Sequence, residues 1–439
     1  MLLRADYAII RIQYSEGEND MNINRYCALI DERKEELFDL LCRLVRINSE
    51  NFGSYGNEKE CAEYIDTLCR ELGLESEVYT PLALPDYENH PDALRGRGLE
   101  NRPNVTARWR GKEDADALML MGHSDTVVIG DRANWSFDPL AGEIRDGKIW
   151  GRGACDDKYA TATALFIIKL LRENGFEPKA NILFTAYCDE EKGGSNGALA
   201  ACLRYPCERI VNMDCKDFEI WHCASGGGTF RYRWHTEDPV DNARLAALAI
   251  PIVMEEFERF KEKRTAELEA NRFYAGTVIP STALRYMGVK AGDKGADLGV
   301  GEVVFTMYTD RTREEIHAEF REIEARLREK LAPMGIVGEE VVSTNRFFHY
   351  VYSEPDCDSI RDMQAAAQEA TGRELKVCGS CLSDLSVILK YGSPQAYGFG
   401  IGRGFQVYGG AHQPDEHIEC DRLVEYAKIM LAYILRVMG

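Results

Sequence analysis

Apolar residues recur at helical spacing near the start of the chain. Leu37, Leu40, Leu41, Leu44 and Val45 mark one face of a helix from about Asp31 to Ile47. Cys61, Ile65, Leu68 and Leu72 mark a second helix, from about Asn57 to a stop at Gly73. Ser76–Tyr79 reads as a short strand, and the polar stretch Pro81–Pro103 as a long loop. Then the pattern changes. Ala117-Leu-Met-Leu-Met121 is a continuous apolar run, as a strand covered on both faces requires. Helix Asp157–Arg172, strand Asn181–Ala186, helix Ser195–Arg204 with Ser195 as N-cap, and strand Arg209–Met213 follow in alternation. That order predicts right-handed crossovers and an α/β unit with a mainly parallel sheet covered by helices.

From about Ala224 the texture differs. A Gly226-Gly-Gly228 turn leads into an alternating strand, Thr229–Trp234. A long helix from Asn242 turns Leu245, Leu248, Ile252, Val253, Phe257 and Phe260 inward. Strand Glu302–Tyr308 and helix Thr312–Leu331 follow. The order predicts an inserted α+β unit of the ferredoxin-like kind. From about Phe347 the chain returns to the first unit, with helix Asp358–Ala370, a strand near Gln395–Phe399 and a last helix, Asp421–Val437. The expected organisation is a flexible tail over 1–20, a catalytic unit over 21–223 and 346–439, and an inserted lid or dimerisation unit over 224–345.

Charge narrows the partners. The 439 residues carry 73 acids against 53 bases, a net charge of −20. Such a surface repels phosphate backbones and anionic membranes, so neither nucleic acid nor membrane is an expected partner. No apolar run approaches the ~18 residues of a membrane span. Arg4, Asp6 and Arg11 interrupt the first residues, a poor secretory leader. The fourteen cysteines are scattered through predicted helices and strands, which predicts reduced thiols and a cytoplasmic location. Cys378-Gly-Ser-Cys381 is a lone CxxC, incidental on its own, with a redox role as a rival reading.

The chemistry-bearing residues follow the predicted strands. His123-Ser-Asp125 comes after Met121, Asp189-Glu190-Glu191 after Ala186, Asp214 after Met213, and His412 after the late strand. Asp156 stands just before a helix. Ligands of open α/β sheets bind at the carboxyl ends of strands, so these side chains are expected at one edge. Imidazoles with carboxylates suit zinc and related divalent ions. At a spacing of two, Asp125 can accept the second ring N–H of a ligating His123. In the Glu190–Glu191 pair one carboxylate can ligate while the other shuttles a proton. Taken singly, each is more often a turn, a cap or a solvated loop; their shared placement carries the reading.

Leu120-Met-Gly-His-Ser-Asp-Thr-Val127, Trp135-x-x-x-Pro139, Gly147-Lys-Ile-Trp-Gly-Arg-Gly-Ala-Cys-Asp-Asp-Lys158, Asp189-Glu-Glu-Lys-Gly-Gly194 and Ala411-His-Gln-Pro-Asp-Glu-His-Ile418 together resemble the M20 family of dinuclear zinc peptidases and N-deacylases. Carboxypeptidase G2-like, acetylornithine deacetylase-like and succinyl-diaminopimelate desuccinylase-like enzymes belong to it. The resemblance implies two divalent ions per chain, zinc first, with manganese or cobalt as alternatives. It implies that His123 and Asp214 hold one ion, Glu191 and His412 the other, and that Asp156 bridges them. Asp125 would support His123, and Glu190 would be the general base for water attacking an amide carbonyl. Asp217 is a rival for the place of Asp214. His417 is not expected to ligate.

The insert departs from the family pattern. Its Trp234-His235-Thr-Glu-Asp-Pro239 stretch is shortened, with His235 as the candidate lid histidine reaching across a dimer. Thr309-Asp310-Arg311 is expected to be a structural ion pair. The arginine by which relatives grip a substrate carboxylate is not evident near Gly379-Ser-Cys-Leu-Ser-Asp384; Arg403 is the substitute candidate. The expected activity is hydrolysis of a peptide bond or of an N-acyl amino acid, by a homodimer joined through the insert. A dipeptidase or aminopeptidase with the same site is one alternative. A degenerate member that binds peptide without turnover is another.

Overall fold

Ile23, Tyr26, Cys27 and Ile30 are buried and continue the helical spacing of Leu37–Val45 upstream. The first helix therefore runs Glu16–Arg46, one long rod rather than a helix opening at Asp31. This is a computed structural model, and it describes residues 16–194, 196–236, 238, 240–292 and 298–439. The proposed tail over 1–20 thus lies largely outside the described residues, as does the proposed N-cap Ser195.

The main sheet has nine strands. Its centre is parallel: Glu113–His123 lies between Ala180–Tyr187 and Arg209–Asn212, and Tyr397–Phe399 runs parallel to Arg209–Asn212. Its flanks are largely antiparallel. Asn104–Trp109 and Glu75–Tyr79 close one side, and Ile220–Ala224 and Val351–Tyr352 the other, where Val377–Ser380 also joins Ile220–Ala224 in parallel. The sheet is mixed, with the parallel block at the middle. Alternation along the central strand sorts two cores. Leu118 and Leu120 meet the helices Glu16–Arg46, Lys158–Glu173 and Cys420–Met438; Met119 and Met121 meet Asn196–Arg204 on the opposite face.

The second sheet is wholly antiparallel and has five strands. Its longest strands are Leu284–Ala291, Val300–Thr309 and Gly226–Thr236. Phe230, Tyr232 and Trp234 point into a core shared with helices Ile250–Ala270 and Arg313–Leu331. With Ile336–Gly338 the order is β-α-β-β-α-β. The sequence reading lacked Leu284–Ala291. It is an edge strand, with Met287 59% exposed, so no alternating apolar face betrays it. A three-stranded sheet pairs His417–Glu419 with Lys148–Trp150 and Glu143–Arg145. It ties the loop carrying His412 to the turn carrying Asp156.

All fourteen cysteines are free. Cys378 lies in the strand Val377–Ser380, and burial pushes its thiol up to about 12, which disfavours the thiolate that a redox pair uses. Among the described residues no helix is long and apolar enough to cross a membrane.

Candidate metal centre

Three parallel strands end together. His123 stands opposite Tyr187, and Met121 opposite Asn212, so the loops that follow leave from one edge. Helix Lys158–Glu173 starts against the same edge. Gly122 allows that approach: a Cβ there would lie 2.7 Å from the Ala160 Cβ and 2.8 Å from Asp157 Oδ2.

The Asp156 carboxylate spans two imidazoles. Its Oδ1 is 3.1 Å from His123 Nε2 and its Oδ2 is 3.2 Å from His412 Nε2. Glu191 Oε2 lies 2.8 Å from the same His412 nitrogen. Donor atoms of His123, Asp156 and Glu191 fall within 4.8 Å of one another, and so do those of His123, Asp157 and Asp214. Asp157 was missed in the sequence, where only the first acid of the Asp156-Asp157 pair was weighed. Its Oδ2 accepts the main-chain N–H of His123 at 3.2 Å, while its Oδ1 has no hydrogen-bond partner. Asp217 is not part of this cluster: it pairs with Arg422 at 3.2 Å and is half exposed. His417 packs on Trp150, its Nδ1 facing the Asp415 carbonyl at 2.9 Å.

Acids outnumber bases here, and burial sharpens the imbalance. Burial, then Asp384, pushes the Glu190 carboxyl well above the usual range. Burial, then Asp156, lifts Glu191 to about 7; burial lifts Asp214 to about 6. Burial opposes ionisation of Asp156 too, but hydrogen bonds from His123 and His412 outweigh it and hold the group low. Burial likewise disfavours the His412 cation, yet Asp156 and Glu191 raise it to about 10. Two imidazoles among mostly buried carboxylates, with an unpartnered Asp157 oxygen, form a donor set that fits divalent cations.

Asp125 behaves differently from expectation. His123 Nδ1 faces the Asp125 main-chain carbonyl at 2.8 Å, whereas the Asp125 carboxylate is 3.8 Å away. The backbone carbonyl therefore sets the His123 tautomer. The carboxylate instead accepts the main-chain N–H groups of Glu190, at 3.0 Å, and of Glu191, at 3.1 Å. On the other side of the site, buried Glu416 accepts N–H groups from Gly153 and Cys155 at 3.0 Å each and pairs with Arg152 at 2.5 Å. It holds the turn that presents Asp156.

The two remaining candidates are placed elsewhere. Arg403 is ion-paired with Glu419 of the strand His417–Glu419 and donates to the Tyr408 carbonyl at 3.3 Å, so its two terminal nitrogens are already engaged. His235 sits on the second sheet between Val300 and Val337, with Glu339 3.9 Å away, and joins none of the hydrogen bonds of the metal centre. A further buried guanidinium is that of Arg346, a residue the sequence reading passed over. It is 3% exposed, and its Nε, Nη1 and Nη2 all lack hydrogen-bond partners. Its electrostatic neighbours include Tyr87 and Asp384, and burial lifts Asp384 to about 8.

Comparison with known proteins gives a consistent result. The profile of peptidase family M20/M25/M40 matches residues 119–436. An uncharacterized metallohydrolase of Methanocaldococcus jannaschii is 26% identical over 421 residues, spanning 90% of this chain and 98% of that one. A succinyl-diaminopimelate desuccinylase of Wigglesworthia glossinidia brevipalpis is 26% identical over 202 residues, 42% of this chain and 50% of the relative. Among solved structures, a dipeptidase of Saccharomyces cerevisiae superposes with a TM-score of 0.70 at 14% identity, covering 95% of this chain and 99% of that one. That last likeness concerns the fold.

Proposed function

The chain belongs to peptidase family M20/M25/M40, a metal-dependent family of hydrolases acting on C–N bonds, and from that premise we propose that it hydrolyses the amide of a small peptide or an N-acyl amino acid. The observation that carries the reading is the Asp156 carboxylate, one oxygen on His123 and the other on His412. In this reading Asp156, with one carboxylate oxygen toward each imidazole, would contribute to the sites of two divalent ions, zinc in the first instance. His123 and Asp214 would hold one, and Glu191 and His412 the other. Asp157, already accepting from the main chain of His123, supports the first set. When bound, such ions acidify water from near 16 towards ~7 and polarise a carbonyl.

The chain's own groups supply the rest. Burial, then Asp384, raises the Glu190 carboxyl, and a carboxylate beside the attacking water can accept a proton and return it. It takes a proton from the attacking water and delivers it to the departing amine. Asp125 fixes the direction of Glu190 and Glu191 through their N–H groups. Arg346, with three unpartnered nitrogens, takes the place proposed for Arg403 and pairs with a substrate carboxylate. Residues 224–345 form an inserted lid; the exposed edge strand Leu284–Ala291 supports a homodimer through it. Fourteen unbridged cysteines fit a reducing, cytoplasmic setting.

The test is primary-amine release by zinc-loaded protein from N-acetyl, N-succinyl and N-acyl-aromatic amino acids and dipeptides, with Glu190→Ala in parallel. Release by the wild type alone supports the reading. Silence across the panel with two ions bound per chain favours a binding protein that has kept its metals.

A further inference from the structure

Behind the Glu190–Glu191 turn runs a chain of buried polar groups that the proposed reaction does not use. Glu58, Arg102, Asp189 and Asn51 are each fully enclosed. Arg102 reaches both acids: its Nη2 is 2.5 Å from Glu58 Oε1 and its Nη1 is 2.7 Å from Asp189 Oδ1. Asn196 donates to the other Asp189 oxygen at 2.7 Å. The Asn51 side-chain amide donates to Asp125 Oδ2 at 2.8 Å and reaches Asp189 Oδ1 at 3.4 Å. Asn51 thus links the acid that receives the Glu190 and Glu191 N–H groups to the acid that precedes them.

Enclosing Arg102 between two acids carries a desolvation cost that pairing need not recover, and apolar replacements of such triads are often no less stable. Stability alone is thus a weak account of this arrangement. Geometry offers a better one. Asp189 has φ +59, a backbone region that residues with side chains rarely adopt. Arg102 and Asn196 hold its carboxylate from two sides, which pins the conformation that aims the next two residues. Asn51 and Asp125 pin the same turn from the opposite side.

We propose that Asn51 and Arg102 are positioning residues for the hydrolysis described above. They act through Asp125 and Asp189 to fix the direction of Glu190 and Glu191. Neither touches substrate. The proposal rests on the reading of Glu190 as base, and a base displaced by about 1 Å loses about 100-fold in rate.

The experiment compares zinc-loaded wild type, Asn51→Ala, Arg102→Met and Arg102→Lys. Asn51→Ala is expected to lower kcat by about 10- to 100-fold with KM within about twofold and metal content unchanged. Arg102→Lys is expected to recover part of the loss seen in Arg102→Met. In a Glu190→Ala background, Asn51→Ala is expected to cost clearly less than in the wild type, because the base, one of the two groups it positions, is gone. A loss of equal size in both backgrounds overturns the proposal, since it marks a general structural effect. An activity-independent measurement stands beside these. Amide hydrogen exchange over residues 188–194 is expected to rise about tenfold in Asn51→Ala, with or without zinc. Unchanged exchange overturns the proposal whatever the activity. Faster exchange in a protein that hydrolyses no substrate keeps the positioning role and removes the amide-hydrolase reading instead.

Discussion

Two buried polar centres of the protein have opposite charge balance. At the metal centre Asp156, Asp157, Asp214, Glu190 and Glu191 share two imidazoles, and burial drives most of these carboxyls up. At the second centre one carboxylate, Asp92, is 3% exposed and is met by His349 at 2.9 Å, Lys390 at 2.8 Å, the Tyr391 hydroxyl at 2.5 Å and the guanidinium of Arg313. Burial opposes ionisation there too, yet these donors outweigh it and hold Asp92 far below the usual carboxylate range. The second centre is complete within the protein and clasps the insert helix Arg313–Leu331 to the loop before Asn104. The first has more acid than its own bases can neutralise. Burial alone therefore does not mark a cation site; uncompensated burial does.

The largest effect expected from this contrast falls on turnover. Glu190→Ala is expected to lower kcat by about 1,000-fold while bound metal, measured by elemental analysis, stays unchanged. Asp92→Asn tests the other centre. It is expected to cost about 2 kcal/mol in chemical denaturation, because it removes the buried charge on which His349, Lys390, Tyr391 and Arg313 converge. The pH dependence carries the sign of the depressed Asp92 value. Its contribution is complete above the unfolded carboxylate value of about 3.9 and is lost as pH falls towards the folded one, so Asp92→Asn flattens the acid limb of the stability curve. Glu191 and Asp214 act in the opposite sense in metal-free protein. Raised to about 7 and about 6, they favour the fold at low pH and lose that contribution as pH rises through those values.

Smaller effects separate the two arginines. Arg346→Met is expected to raise KM about 10- to 100-fold for substrates with a free carboxylate and much less for their amides. Arg403→Ala is expected to leave KM within about twofold, because its guanidinium already serves Glu419. Steady-state kinetics on acid and amide pairs checks both.

The sequence made the metal centre legible because parallel strands read as continuous apolar runs and the reactive residues follow them directly. His123, Glu190, Glu191 and Asp214 sit where that rule puts them, and Asp156 opens the helix that packs on the same edge. What escaped notice depends on contacts between distant segments. Nothing near Asn51 or Arg102 announces a partner 74 or 44 residues away. The contact of the Asp125 carboxylate with Glu190 escaped notice because the two-residue spacing to His123 is visible, whereas the 65-residue closure onto Glu190 is not. Arg346 was passed over for a similar reason: it occupies an unremarkable junction, and only burial without a hydrogen-bond partner distinguishes it. The edge strand Leu284–Ala291 carries too little apolar pattern to be read.

The most direct test of the contrast is a zinc titration of metal-free protein by calorimetry at about pH 6, in buffers of different ionisation heat. The account predicts two ions per chain and net proton release, since Glu191 and His412 must give up protons to ligate. It also predicts the loss of at least one ion in Asp156→Asn and no change in Asp92→Asn. Fewer than two ions in the wild type, or an Asp156→Asn protein that binds both unaltered, would contradict it.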